Sequence, residues 1–331
     1  MLGILRLILA MAVAASHANL RMGGLNPGVV AVIGFYLISG YVMAGLIRRN
    51  YSQPAAAPAF YLDRAIRLLP QYLFYGILTL VWQLYSQANT YFLSRIPGPG
   101  DLLNNVLIVP LNYYMYNSSD QYTLIPPAWS LGAEIQFYLI APFLLVWPKR
   151  ILAAGLLSLG VYLAALAGLI NSDWFGYRLI PGVLLFFLLG ALLQHLQQPQ
   201  PQPGRARTMT VLVAALATLA LGLLYLNGTL RQPYNFETLL GLILGLGLLH
   251  TLANRPRTRW DDLAGDISYG VFLNHFFIMW TVYPQGVSAS QLPGFIALSV
   301  VLSWITQRLV EQPLLKLRRR FRSAPSQPQA V

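Results

Sequence analysis

Ten long apolar stretches, separated by short polar and often arginine-bearing connections, account for most of this chain. They fall at about residues 2–20, 29–47, 68–85, 129–147, 151–170, 177–196, 209–226, 236–253, 267–284 and 291–310. Each approaches the roughly 20 residues that a helix needs to cross the hydrocarbon core of a bilayer. The pattern predicts an all-α integral membrane protein with about ten transmembrane helices. A further stretch, Asp101 to Tyr116 (DLLNNVLIVPLNYYMY), is only partly apolar, and its Asn pair and Pro110 suit a crossing poorly. It reads as an interfacial or re-entrant piece of a long outer loop, about residues 86–128. Residues 197–204 (QQPQPQPG) form a short linker that cannot pack a core. Residues 1–322 then make one membrane domain and 323–331 a disordered cytoplasmic tail, with no soluble domain expected at either end.

Composition fits this picture, and charge orients it. Hydrophobic residues make up 56% of the chain and charged residues 10%, as in integral membrane proteins. A net charge of +12 would suit nucleic acid if it lined one polar face. The basic residues fall instead between the apolar stretches, which is a topology signal, so no nucleic acid is expected as a partner. With the N-terminus cytoplasmic, ten crossings leave only Arg21, Arg95, Arg178 and Arg231 of the 22 Lys and Arg outside. The C-terminus is then cytoplasmic too. The first stretch has a rival reading as a cleaved signal peptide, because Ala14-Ala15-Ser16 resembles a small-residue cleavage site. Charge asymmetry does not choose between the two. The sequence has no cysteine, which excludes disulfides and thiolate metal sites.

Ionisable residues inside the stretches are few, and each is a functional candidate because burying it in a bilayer is costly. Arg6 and His17 are eleven apart, so they return to within roughly 20° of one helix face, about 16 Å apart along it. A proton-transfer group is thereby held at a fixed distance from a cation that can grip an anionic handle. Glu134 lies just over one turn below the outer surface, at the expected depth of His17. By depth, His17 is its nearest titratable partner, and a carboxylate that orients an imidazole raises its basicity. The rival reading has Glu134 capping or bonding a neighbouring helix. Arg64 and Arg67 share a helix face at the cytoplasmic entry to the third stretch. They can bind phosphates bidentately, although read alone they are more simply positive-inside anchors. Ser268 and His275 share a face of the ninth stretch, where a membrane histidine is often only an interhelical hydrogen bonder. Ser39-Gly40 most simply permits close helix packing. His195 and His250 sit near span ends, and Glu311 is expected to pair with the basic run Lys316 to Arg322.

Together these residues resemble the acyltransferase-3 family of bacterial integral membrane acyltransferases, over nearly the whole chain. The family's arginine, ten residues, then histidine is similar to Arg6 and His17, and its Phe-Phe-x-x-Ser-Gly to Phe35-Tyr36-Leu37-Ile38-Ser39-Gly40. Its Arg-x-x-Arg followed by proline matches Arg64, Arg67 and Pro70. Its Trp-Ser-Leu-x-x-Glu-x-x-Phe-Tyr matches Trp129 to Tyr138, and its Ser-Tyr-x-x-Tyr-Leu-x-His matches Ser268 to His275. One departure is Ile33, where many members carry aspartate, so no role of that acid transfers.

The resemblance implies transfer of an acyl group, commonly acetyl, from acyl-coenzyme A to a hydroxyl of a carbohydrate or lipid-linked glycan, without a metal. It implies a multi-pass protein of the bacterial cytoplasmic (inner) membrane, working beside glycan-assembly partners, with the first stretch retained. His17 and Glu134 become the expected catalytic residues, and Arg6, Arg64 and Arg67 the ligands of the donor's phosphates. Ser39, Trp129, Tyr138, Ser268, Tyr269 and His275 become the expected support. His17 would deprotonate the acceptor or carry the acyl group, with His275 the competing base. Tyr91, Tyr113, Tyr114, Tyr116 and Tyr122 of the outer loop are candidates to stack on a sugar. The alternative function is a transporter or flippase of a lipid-linked glycan using the same charges.

Overall fold

The computed structural model describes residues 1–198 and 200–315. The basic run 316–322 and the tail 323–331 lie outside the described residues. The chain enters through α1 (Leu2–His17), α2 (Pro27–Asn50) and α3 (Ala57–Ser86). An outer connection follows, with α4 (Pro99–Leu107) and α5 (Tyr114–Asn117) joined by a 3₁₀ turn over Val109–Tyr113. Seven more helices complete the bundle: α6 (Ala128–Leu144), α7 (Pro148–Leu166), α8 (Ile180–Gln197), α9 (Pro203–Leu226), α10 (Asn235–Leu252), α11 (Arg259–Val282) and α12 (Leu292–Thr306). Among the described residues no β-strand forms, only isolated bridges in loops.

Local chemistry sets many of these boundaries. Asn26 caps α2 by accepting from the Gly28 amide at 2.9 Å, with Pro27 as its first residue, which satisfies an N–H that the helix cannot. Thr258 does the same for α11 through the Asp261 amide at 3.2 Å, and Asp261 and Asp262 fill the positive first turn.

Each of the ten predicted stretches coincides with one long helix. Seven of these are long and apolar enough to cross a membrane: Pro27–Asn50, Pro54–Ser86, Pro148–Leu166, Trp174–Gln197, Pro203–Leu226, Asn235–Leu252 and Leu292–Leu315. The other three are α1, α6 and α11. The first two have 16 and 17 residues, and α11 opens on Arg259, Asp261, Asp262 and Asp266. Residues 101–116 form short pieces and no spanning helix. Asn105 pins this outer connection: its Nδ2 donates to Tyr122 O at 3.0 Å, and its Oδ1 accepts from the Leu124 amide at 2.8 Å.

Helix α2 is the hub, with 72% of its apolar window buried against 11% for the peripheral α9. It packs on α8, α10 and α1. Its crossing with α8 is closed by a reciprocal pair of glycines. A Cβ on Gly40 would collide with the Phe187 backbone, and one on Gly190 with the Leu37 carbonyl. The Ser39-Gly40 expectation of close packing is met here by Gly40, while Ser39 is occupied otherwise, as described below. α1 packs along α11, which in turn packs on α12.

Candidate active site

Helices α1 and α11 run parallel and in register. Gly3 sits against the backbone of Asp261 and Gly265, so close that a Cβ there would collide. Fourteen residues further along each helix, His17 meets His275: Nδ1 of His17 lies 3.0 Å from Nε2 of His275, with the rings 5.2 Å apart and 6° from parallel. The tautomers follow from the partners. Nδ1 of His275 lies 3.1 Å from the Val271 carbonyl, which can only accept, so that nitrogen carries the proton. With both rings neutral, Nε2 of His275 must accept and Nδ1 of His17 must donate. The lone pair of His17 is then on Nε2, the nitrogen outside the pair.

This differs from the pairing expected from depth alone. Glu134 does not hold His17. Its Oε1 accepts from Ser39 Oγ at 2.6 Å and, in a very short bond, from the Tyr138 hydroxyl. Depth along a helix gives no azimuth, and α6 turns Glu134 toward α2 and its own next turn, whereas α11 presents His275. His275 is fully buried and acts as an interhelical bonder, with His17 itself as the partner.

Three cavities follow one another through this region. The inner one, 50 Å³, is lined by Arg6, Glu134, Ser268, Tyr269, Phe35 and Tyr36 among others. Arg6 Nε there is buried and has no hydrogen-bond partner, an orphan donor beside a carboxylate. The middle cavity, 70 Å³, shares Val32, Ser130 and Phe272 with the inner one and adds His17. The outer cavity, 220 Å³, shares His17, Trp129 and Arg178 with the middle one. Arg6 lines the inner cavity and His17 the middle and outer ones, and shared lining residues place the three side by side. The hydroxyl of Tyr269 donates to Leu68 O at 3.1 Å, and that of Ser268 to Gly265 O at 2.8 Å.

Arg64 and Arg67 line none of these cavities. Arg64 binds Asp63 through Nη2 at 2.5 Å and Nε at 3.2 Å. Arg67 pairs with Glu311 and lies 3.8 Å from Asp266. Glu311 therefore joins α3, where Gln71 also donates to it at 2.8 Å, and the basic run expected to pair with it lies outside the described residues. Helix α12 and the π turn after it, Gln307–Glu311, pack on α3 and bring the carboxylate there. Among the described residues no group of three His, Asp or Glu could hold a metal ion.

Two of the five outer tyrosines, Tyr91 and Tyr114, line the outer cavity with Phe92, Asp120 and Trp129. Burial pushes the Tyr114 hydroxyl up to about 12, so it stays protonated there. The other three are engaged elsewhere: Tyr113 bonds Gln136 at 2.6 Å, Tyr122 bonds Gln83 at 2.8 Å, and Tyr116 packs on Trp174. Arg178 is the residue that sequence reading passed over, noted only as an outer basic residue. The available signal was its setting, a single arginine closing Trp174-Phe175-Gly176-Tyr177, since charged side chains amid aromatics at a membrane edge need a partner.

The bundle thus holds a histidine pair between small cavities that Arg6, Glu134 and Arg178 also line. Residues 2–308 match the family described as Acyltransferase domain, and the chain belongs to this acyltransferase-3 family and is an acyltransferase. It is 36% identical to an uncharacterized protein of Aquifex aeolicus, over 59% of this chain and 89% of that one. It is 27% identical to nodulation protein 10 of Rhizobium leguminosarum, over 88% and 83%. With a Staphylococcus aureus protein named "Putative O-acetyltransferase" it shares 23% identity over 94% of this chain, which spans 56% of that relative's length. No solved structure matches.

Proposed function

We propose that this protein transfers an acyl group, acetyl by preference, from acyl-coenzyme A held at the cytoplasmic side to a hydroxyl of a carbohydrate or lipid-linked glycan at the outer side. The observation that carries this reading is the line of cavities from Arg6 to the outer loop, with His17 on its middle and outer segments. In this reading Nε2 of His17 takes the proton of the acceptor hydroxyl, and His275 fixes the tautomer that leaves Nε2 bare. The proton then goes to the departing coenzyme A sulfur as the C–S bond breaks and the C–O bond remains. Glu134 supports the inner cavity rather than the imidazole.

The donor's anionic handle is assigned to Arg6, which lines the inner cavity and whose buried Nε has no hydrogen-bond partner, and to Arg64 and Arg67. A guanidinium has five N–H donors and can hold more than one anion at once. The inner cavity has room for only about two waters, so Phe35, Tyr36 and Phe272 must swing aside for the donor's arm to thread. A middle cavity of 70 Å³ suits a two-carbon acyl group far better than a long one. The outer cavity, aromatic with one acid and one arginine, suits a single sugar ring.

The reading carries a topology: ten crossings, both termini cytoplasmic, residues 1–322 acting as one unit in a bacterial inner membrane. The chain's membership of an acyltransferase family sets the transporter reading aside. The test is release of coenzyme A from acetyl-coenzyme A, with label appearing in membrane glycan, by purified protein in liposomes. Donor binding without label transfer, in a preparation that retains its fold, would remove the glycan acceptor from the proposal.

A further inference from the structure

None of the five family-like segments contains Arg178, yet its side chain is the most constrained cation at the site. Its guanidinium lies 4.5 Å from the ring centre of Trp129, 5.1 Å from Tyr177, 5.3 Å from Tyr114 and 5.8 Å from Tyr234. Nε donates to Asp173 at 2.6 Å, and Asn112 Nδ2 donates to the Arg178 carbonyl at 3.1 Å. The residue closes a π-helical turn, Trp174–Arg178, just before α8. Such turns are rare and recur at functional sites. Ring and carboxylate contacts together restrain the guanidinium.

What the restrained guanidinium presents is unmet. Aromatic faces attract a cation without consuming its N–H groups in strong hydrogen bonds. Asp173 takes only Nε, and neither terminal nitrogen bonds any described side chain or carbonyl. Its four terminal N–H donors, on a side chain that is 13% exposed, remain open to a ligand. Arg178 lines the same two cavities as His17. A base and a fixed fork of donors sharing one small space is the arrangement that acyl transfer needs, since negative charge builds on the carbonyl oxygen while a proton leaves the nucleophile.

We propose that Arg178 binds the carbonyl oxygen of the acyl thioester and stabilises the oxyanion that forms on it. This rests on the donor reading above. As the acceptor oxygen bonds to the carbonyl carbon, its proton passes to His17 and the carbonyl π electrons move onto the oxygen held by Arg178. Collapse restores the carbonyl, breaks the C–S bond and returns the proton to sulfur. Asp173 and the four rings are positioning residues: they aim the fork and do not touch the reacting atoms.

The test reads the carbonyl directly and needs no acceptor. Infrared difference spectra of [1-¹³C]acetyl-coenzyme A should show the thioester carbonyl band at lower frequency when bound to the wild type than when free. In Arg178→Met, which keeps the cage filled, the band should return to the free position while donor affinity stays within about threefold. A low-frequency band that persists in Arg178→Met, or a bound donor with an unshifted band in the wild type, overturns the role of Arg178 alone. Failure of the wild type to bind the donor overturns the donor reading itself, and this one with it. Coenzyme A release by Arg178→Met should fall about 10²–10³-fold with donor KM little changed, the usual cost of one oxyanion donor. In Arg178→Ala, millimolar guanidinium chloride should restore both band and release, and equal sodium chloride should not. A purely structural role would leave guanidinium without effect, and that result also counts against the proposal.

Discussion

At the scale of single residues, the site turns on which atom of which ring is bare. The hydrogen-bond chain Val271 O, His275, His17 leaves Nε2 of His17 as the acceptor. His17→Ala should therefore lose on the order of 10²–10⁴ in the rate of coenzyme A release while the protein still inserts and binds donor. His275→Ala should cost less, since the base remains but its tautomer is no longer fixed. His275→Gln, whose side-chain oxygen can accept from Nδ1, should recover part of that loss. Equal activity in His275→Ala and wild type would show that the pair is packing and no more. Residue by residue, the sequence disclosed His17, Arg6, Glu134 and His275 because each is an ionisable group in an apolar run. It could not disclose that His275 and not Glu134 holds His17. That choice depends on azimuth between helices distant in the chain, which spacing along one helix does not encode. Arg178 stayed hidden for a related reason: charge counting places it outside and says nothing of the cage that closes around it.

At the scale of elements, the three helices too short or too polar to pass as ordinary spans are α1, α6 and α11. They are also the three that carry His17, Glu134 and His275. Length sets α1 and α6 apart, at 16 and 17 residues, and polarity sets α11 apart, since it opens on Arg259, Asp261, Asp262 and Asp266. The long apolar helices, such as α2 and α9, read most plainly from the sequence. Their contacts make sharp predictions. Gly40→Val must push α2 off the Phe187 backbone, so the detergent-solubilised protein should unfold several degrees lower. Gly160→Val on α7, where a side chain meets open space, should leave the unfolding midpoint unchanged. Val32 is shared by the inner and middle cavities, and on the proposed mechanism it limits acyl length. The wild type should favour acetyl over butyryl donors by on the order of tenfold or more, and Val32→Ala should narrow that ratio. An unchanged ratio would mean that the acyl group does not lie in the middle cavity.

At the scale of the whole molecule, the basic residues argue for both ends of the bundle on the cytoplasmic side. Reporter fusions at Gln198 and Arg257 should read cytoplasmic, and those at Ser118 and Ser288 extracytoplasmic. A cytoplasmic reading at Ser118 would mean that a crossing is miscounted. The outer connection was legible as a non-spanning insertion because Asn105 and Pro110 interrupt it, and Asn105 proves to be its main fastener.

The parallel seam between α1 and α11 has a consequence for how the protein is made. His17 and His275 are 258 positions apart, and ribosomes add roughly 5–20 residues per second. The first helix thus waits in the membrane for on the order of tens of seconds before the helix that fixes its imidazole is synthesised. Until then Gly3 has no backbone to rest against and Nδ1 of His17 has no acceptor. Nascent and truncated chains hold the base but not the partner that orients it. On the proposed mechanism, full activity therefore waits until the seam zips, late in translation.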